Sequence, residues 1–449
     1  MDRQATGDAA LRDQPIARRS LLRGIGTGAL AMGAGGILSA CSSGIKGAGG
    51  PASGGTITIG FITPLTGALA GFASGDQFVL SQIKGTSTYK NGLKIGKKTY
   101  KINIVVQDSQ SDPNRASTVA RQLILRNKVD MILTTSTPET TNPVAAAAEK
   151  VGTPCLSTVV PWESWYAGLG GNPLQPTTTF KYATMFFFGL KEFQGCFAPM
   201  WNRVKTNKVV ACQYPNDADG NAFRGGFEPM IGASGYKVVD GGAYQDGLAD
   251  FSSMISGFKN KNCEVFSNCP LHPDFNSFWK QASEQGFKPK LATVAKVLLF
   301  PADTQALGAL VSNIATDSWW GPYMPYSSSL DGTSASSFAA AYEASTNNQW
   351  VQSIGSSYAL FEVAKEALGA VNDPHDKAEV ANALHHVNYT GMCGAINFAN
   401  GPAPGVGIIP PVGVQWKASK GKYPFEMQVV DNSLNSSVPI QAKLEPTNA

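Results

Sequence analysis

Nucleophilic, metal and acid–base chemistry each need particular side chains at particular spacings, and this sequence offers few of them. It holds only four histidines in 449 residues. No G-x-S-x-G stretch signals a serine on a strand-to-helix elbow, and no H-E-x-x-H stretch signals a helical zinc pair. Cys263, Cys269 and His272 form a C-x5-C-x2-H string, but a fourth ligand is missing and the spacing is not a zinc pattern. His385 and His386 fall on a polar-flanked helix and read as solvated. What stands out is aromatic: PWESWY from Pro161 to Tyr166, and WWGPYMPY from Trp319 to Tyr326. Rings around a cleft stack on a flat ligand or make an apolar wall. That is the chemistry of binding, with no metal and no cofactor implied.

Composition agrees with a folded, multi-domain binder. Hydrophobic residues make up 43% of the chain and charged residues 15%, below the ~25% of ordinary globular proteins, which excludes disordered and coiled-coil classes. The formal charge of +4 comes with no basic stripe, so nucleic acid is not an expected partner.

The elements that must position the aromatics alternate. Thr56–Ile62, Lys101–Val106, Asp130–Thr135 and Pro154–Val159 read as short buried strands, with helices over 114–127 and 142–151 between them. The pattern restarts with strands at Asn207–Cys212, Tyr236–Asp240, Glu264–Ser267 and Lys290–Ala295. Helices follow near 336–346, 353–371 and 377–386. Two successive runs of this kind predict an α/β protein with two doubly wound parallel-sheet lobes. Ligands of such sheets bind beyond the carboxyl ends of the strands. That edge draws attention to Trp162 and His272, each following a strand, while one of the adjacent pair Trp319 and Trp320 should face the cleft; Trp320 is the one expected there.

The N-terminus reads as an address. Arg18 and Arg19 precede a Gly- and Ala-rich stretch from Gly24 to Leu38, too short for a permanent span. The arginine pair resembles a twin-arginine export signal. Leu38-Ser39-Ala40-Cys41 resembles a bacterial lipobox, so Cys41 is the expected lipidation site, residues 1–40 the signal and 41–55 a flexible tether. The glycines Gly24, Gly26 and Gly28 have no strand before them and are not a dinucleotide loop. Six cysteines follow Cys41, in a compartment where disulfides persist. Cys263 and Cys269 on one strand would be ~20 Å apart, too far to join. Cys212 and Cys269 both fall at carboxyl ends of strands and are the expected pair, with Cys155 left as a free thiol.

Taken together, the PLTG turn at Pro64–Gly67, the QDSQSDPNRA stretch from Gln107, GFKPKLA from Gly286 and the order of elements from Thr56 to Trp416 resemble the branched-chain amino-acid type of substrate-binding protein of ABC importers. The resemblance implies the type I periplasmic-binding fold, two lobes joined by a three-strand hinge. It implies lobe one at 56–179 and 323–399, and lobe two at 180–322 and 400–449. Such proteins are monomers that close on a small molecule and present it to a membrane permease.

The resemblance also assigns site positions. Phe72 stands for the aromatic wall, Thr137 and Glu139 for the loop after the third strand, and Val159 for the loop after the fourth. Asp219 falls at a ligand-contact position, where helix capping would serve as well. The acidic position that receives a ligand's ammonium aligns with Ala295, followed by Lys296. A lysine there favours an anionic or acceptor-rich ligand, such as an aromatic or hydrophobic carboxylate. A ligand-sensing receptor subunit would share this fold and site, and a secreted hydrolase is the alternative from another class.

Overall fold

The computed structural model describes residues 52–447. The export signal, Arg18, Arg19 and Cys41 lie outside the described residues.

Strands in chain order are β1 (Ala52–Thr63), β2 (Leu93–Ile95), β3 (Lys98–Asp108), β4 (Met131–Thr135), β5 (Cys155–Thr158) and β6 (Ala183–Phe186). Then come β7 (Val209–Gln213), β8 (Lys237–Asp240), β9 (Val265–Asn268), β10 (Leu291–Val294) and β11 (Ala315–Ser318). A hairpin β12 (Asn388–Gly391) and β13 (Gly394–Asn397) precedes β14 (Val406–Gly407), β15 (Val412–Ala418) and β16 (Phe425–Asp431). They build two sheets of seven strands, ordered β14-β6-β5-β4-β1-β3-β2 and β16-β15-β11-β10-β9-β7-β8. Each centre is parallel, and antiparallel strands close the edges at β2 and at β15 and β16. Two α/β lobes result, as the alternation predicts. The chain passes between the sheets after β6, after β11 and after β14, which makes three crossings.

Local chemistry explains the elements. On β1, Ile57, Ile59 and Phe61 are fully buried, and Gly60 lets the helix Pro113–Leu125 come close: a Cβ there would lie 2.8 Å from Leu123. That helix starts where Asp112 accepts the Arg115 N–H at 2.6 Å, with proline in its first turn. The helix Pro138–Val151 also opens on proline and ends at Gly152 in the left-handed conformation. The PLTG turn is tied to the QDSQSD loop, since Thr66 Oγ1 donates to Asp108 Oδ2 at 2.7 Å and Ser111 Oγ donates to the Thr66 carbonyl at 2.7 Å. These two stretches brace one another.

Three expectations need correction. Strand β1 begins at Ala52, inside the presumed tether, because its first residues pair with Lys98–Tyr100 of β3. Strands β6 and β14 belong to the first sheet, although 180–322 and 400–449 were assigned to the second lobe. The six cysteines among the described residues are all buried and free, so Cys212 and Cys269 form no disulfide. The register places Cys212 opposite Ser267, two residues short of Cys269. The Cα separation of such a diagonal pair is about 8 Å, beyond the reach of a bridge. Cys155 is a free thiol in a buried strand, and burial pushes it up to about 12.

Candidate functional site

The carboxyl ends of β4, β5 and β10 converge where the lobes meet. Just beyond each, the backbone turns through an unusual conformation: Ser136 has φ 149°, Val159 φ 64° and Lys296 φ 67°. Left-handed values are costly for residues with a Cβ, most of all for β-branched valine, and such strain gathers at functional sites. The small cavity between these loops has about 30 Å³ of free space, enough for a water or two. Its polar end is formed by Thr137, Asp219, Lys296 and Asp317, and its apolar wall by Phe72, Phe187, Phe188, Phe193 and Trp319.

At the polar end Lys296 is enclosed by acids. Its Nζ lies 3.0 Å from Asp217 Oδ2, 3.0 Å from Asp219 Oδ2 and 3.3 Å from Glu139 Oε1, and its side chain is 5% exposed. Asp217 and Asp219 are on the second lobe, at the start of the helix Ala218–Ala222, whereas Glu139 is on the first-lobe helix Pro138–Val151. Ser164, also of the first lobe, donates to Asp219 Oδ1 at 2.9 Å. The cluster therefore ties the lobes together. Burial works against the Lys296 charge, but the facing carboxylates outweigh it and raise its pKa well above the ordinary lysine value. Burial would also raise Glu139, yet the Lys296 ammonium holds it below the usual range. Asp219 is pushed up to about 6 by burial, with Lys296 opposing. Lys296 is thus engaged by protein carboxylates and is not a free cation for an anionic ligand, contrary to the expectation.

One polar feature of the cavity was missed by sequence reasoning. Asp317 lies on β11, one residue before the strand ends, where burial pushes it up to about 7 and its Oδ1 has no partner. Nothing in the chain order announced it as a cleft residue. Beside the start of the helix Pro138–Val151, the Ser136 and Thr137 hydroxyls are buried without hydrogen-bond partners. Buried hydroxyls are rarely left so unless something else completes them.

The remaining expected residues divide. Phe72, Thr137, Val159, Asp219 and Lys296 line the cavity, and Glu139 reaches Lys296 beside it. His272 stands behind the wall, its ring edge-on to Phe72 at 5.9 Å and its Nδ1 2.9 Å from Asp303 Oδ1. Trp162 lines a separate pocket of about 730 Å³, together with Leu190 and Met230. The tryptophan pair is the reverse of what was expected. Trp319 faces the cavity with Phe187 at 5.1 Å, while Trp320 is fully buried between Gly355, Phe338 and Trp350. Cys263 and Cys269 flank β9 at opposite ends, as a string along one strand requires.

A family model described as periplasmic binding protein matches residues 56–408. The chain belongs to that family. Solved members share the fold of this periplasmic binding protein across nearly their whole length. A leucine-binding protein from Thermotoga maritima MSB8 has a TM-score of 0.67 at 19% identity, covering 83% of this chain and 98% of its own. The branched-chain amino-acid transporter substrate-binding protein of Streptococcus pneumoniae, in complex with isoleucine, has 0.64 at 20%, covering 84% and 99%. A solute-binding protein of an ABC transporter from Rhodopseudomonas palustris BisB5, in complex with 3,4-dihydroxybenzoic acid, has 0.65 at 18%, covering 83% and 96%. The fold is the type I periplasmic-binding fold, and the family is one of solute-binding proteins. Among the described residues no helix is long and apolar enough to cross a membrane.

Proposed function

We propose that this protein is the extracytoplasmic, lipid-anchored solute receptor of an ABC importer, without enzymatic activity, and that its ligand is an aromatic or hydrophobic carboxylate. The observation that carries the ligand class is the pairing of an aromatic wall with unpartnered hydroxyls. Phe187, Phe188, Phe193 and Trp319 offer ring faces and edges to a flat body. Ser136 and Thr137 offer donors beside a helix N-terminus, which favours a carboxylate there. The complex of a family member with 3,4-dihydroxybenzoic acid supports this reading, and the complex of another with isoleucine marks the competing class. Anchoring would come from Cys41 and export from the signal carrying Arg18 and Arg19.

Free space of about 30 Å³ does not admit a benzoate, so entry requires the lobes to part and closure then to rebuild the walls around the ligand. The test is a thermal-shift screen of benzoate, 4-hydroxybenzoate, leucine and phenylalanine. A ligand at 100 times its dissociation constant adds ~2.7 kcal/mol and moves the transition by several degrees. Stabilisation by the benzoates is the expected result. Stabilisation by leucine alone would return the protein to amino-acid binding.

A further inference from the structure

We infer that Lys296 is a built-in ammonium that fills the acidic end of the cavity and thereby restricts the protein to ligands without an ammonium group. This deepens the carboxylate reading and rests on the cavity being the ligand site. An alkylammonium has three N–H donors, and Lys296 Nζ meets one carboxylate for each: Asp217, Asp219 and Glu139, at 3.0, 3.0 and 3.3 Å. The side chains of Lys296, Asp217 and Asp219 are all at least nine-tenths buried, so no water shell could replace that set. The lysine backbone is itself in the left-handed region, at φ 67°, a costly conformation for a residue with a Cβ and one that gathers at functional sites.

A free ligand bearing an ammonium would need the same three oxygens and would have to dislodge a tethered group that loses far less freedom on binding. Asp317, also in the wall, is the other acid an ammonium could meet, and burial disfavours its charge. Without Lys296 the three carboxylates would be left buried and uncompensated, which is strongly unfavourable until a cation joins them. The acid-lined end would then recruit an ammonium from solution.

Isothermal titration of wild type, Lys296→Met and Lys296→Arg with benzoate, phenylalanine and 2-phenylethylamine tests this. Lys296→Met should gain roughly 10- to 100-fold in affinity for 2-phenylethylamine, the factor that recovered charge-assisted hydrogen bonds supply. Lys296→Arg should keep the wild-type preference. Binding of phenylalanine to wild type as tightly as benzoate, abolished by Asp317→Asn, would overturn the inference. So would a folded Lys296→Met with no gain for the amine. If Lys296→Met does not fold, Lys296→Met/Asp219→Asn removes one uncompensated charge; the same gain, reduced, is expected, and its absence is equally fatal. The two ideas separate cleanly. Gain of amine binding in a protein whose wild type ignores benzoate keeps the Lys296 assignment and discards the carboxylate. Benzoate binding without amine gain does the reverse.

Discussion

Trp319 and Trp320 are neighbours in sequence with different duties. Trp319 stands in the cavity wall against Phe187, and Trp320 fills the first lobe's core. Trp320→Ala should destabilise the protein by about 3–5 kcal/mol, the range for losing a buried aromatic, while the folded fraction keeps its affinity. Trp319→Ala should lower benzoate affinity roughly tenfold, since ring–ring packing contributes ~0.5–1.5 kcal/mol beyond burial. Denaturant melts and titrations on the two variants separate these effects; equal affinity loss in both would refute the assignment. Alternation along an extended chain predicts that the two rings face opposite ways. Which of them faces the ligand depends on where the chain crosses between lobes, and spacing cannot reveal that.

The long helix Ser353–Gly369 shows how an element's context can reverse a local rule. Glycine within a helix costs about 1 kcal/mol relative to alanine, so Gly355→Ala should ordinarily stabilise. Here a Cβ at Gly355 would sit 2.2 Å from the Trp320 ring. The ring is fully buried and cannot swing away, so overpacking wins and Gly355→Ala should cost about 1–3 kcal/mol. A rise in the denaturation midpoint would show that Trp320 is not clamped as described. Most elements at this scale were legible beforehand: the strands β1, β3 to β5 and β7 to β10 and the helices after them follow hydrophobic period and capping residues. β6 and β11 were not: each is the last strand before the chain crosses between the sheets, where the alternation of strand and helix breaks off. The antiparallel pair β15 and β16 follows an irregular stretch rich in Pro and Gly, 399–411, beyond which no strands were read.

At the scale of the whole molecule, buried acids set the response to pH. Burial pushes Asp76, Asp317 and Glu362 each up to about 7, and Glu163 up to about 8. Each keeps its proton in the folded chain over a range where the unfolded chain, with a pKa near 4, has lost it. Stability contributed by these groups is therefore present in mild acid and falls as pH rises from about 4 through 7. Glu139 has the opposite sign, but its contribution is complete once the pH exceeds its unfolded value. The melting temperature should fall between pH 5 and pH 8, and Asp317→Asn should flatten part of the slope. A melting temperature that climbs steadily over that interval would mean these carboxyls are not held neutral.

The order of residues by itself determined the two-lobed α/β architecture and the edge at which a ligand must bind, because hydrophobic period and strand polarity act locally along the chain. The resemblance to a known family, rather than residue order, pointed to Phe72, Thr137, Val159, Asp219 and Lys296, five of the nine expected contacts and all in the cavity lining. Only the tertiary structure decided what Lys296 does. Its partners Asp217, Asp219 and Glu139 lie 79, 77 and 157 positions away, on both lobes, and a charge acquires its role from whatever folding brings within a few ångströms of it. The same physics hid Asp317 and turned Trp319 rather than Trp320 into the cavity wall.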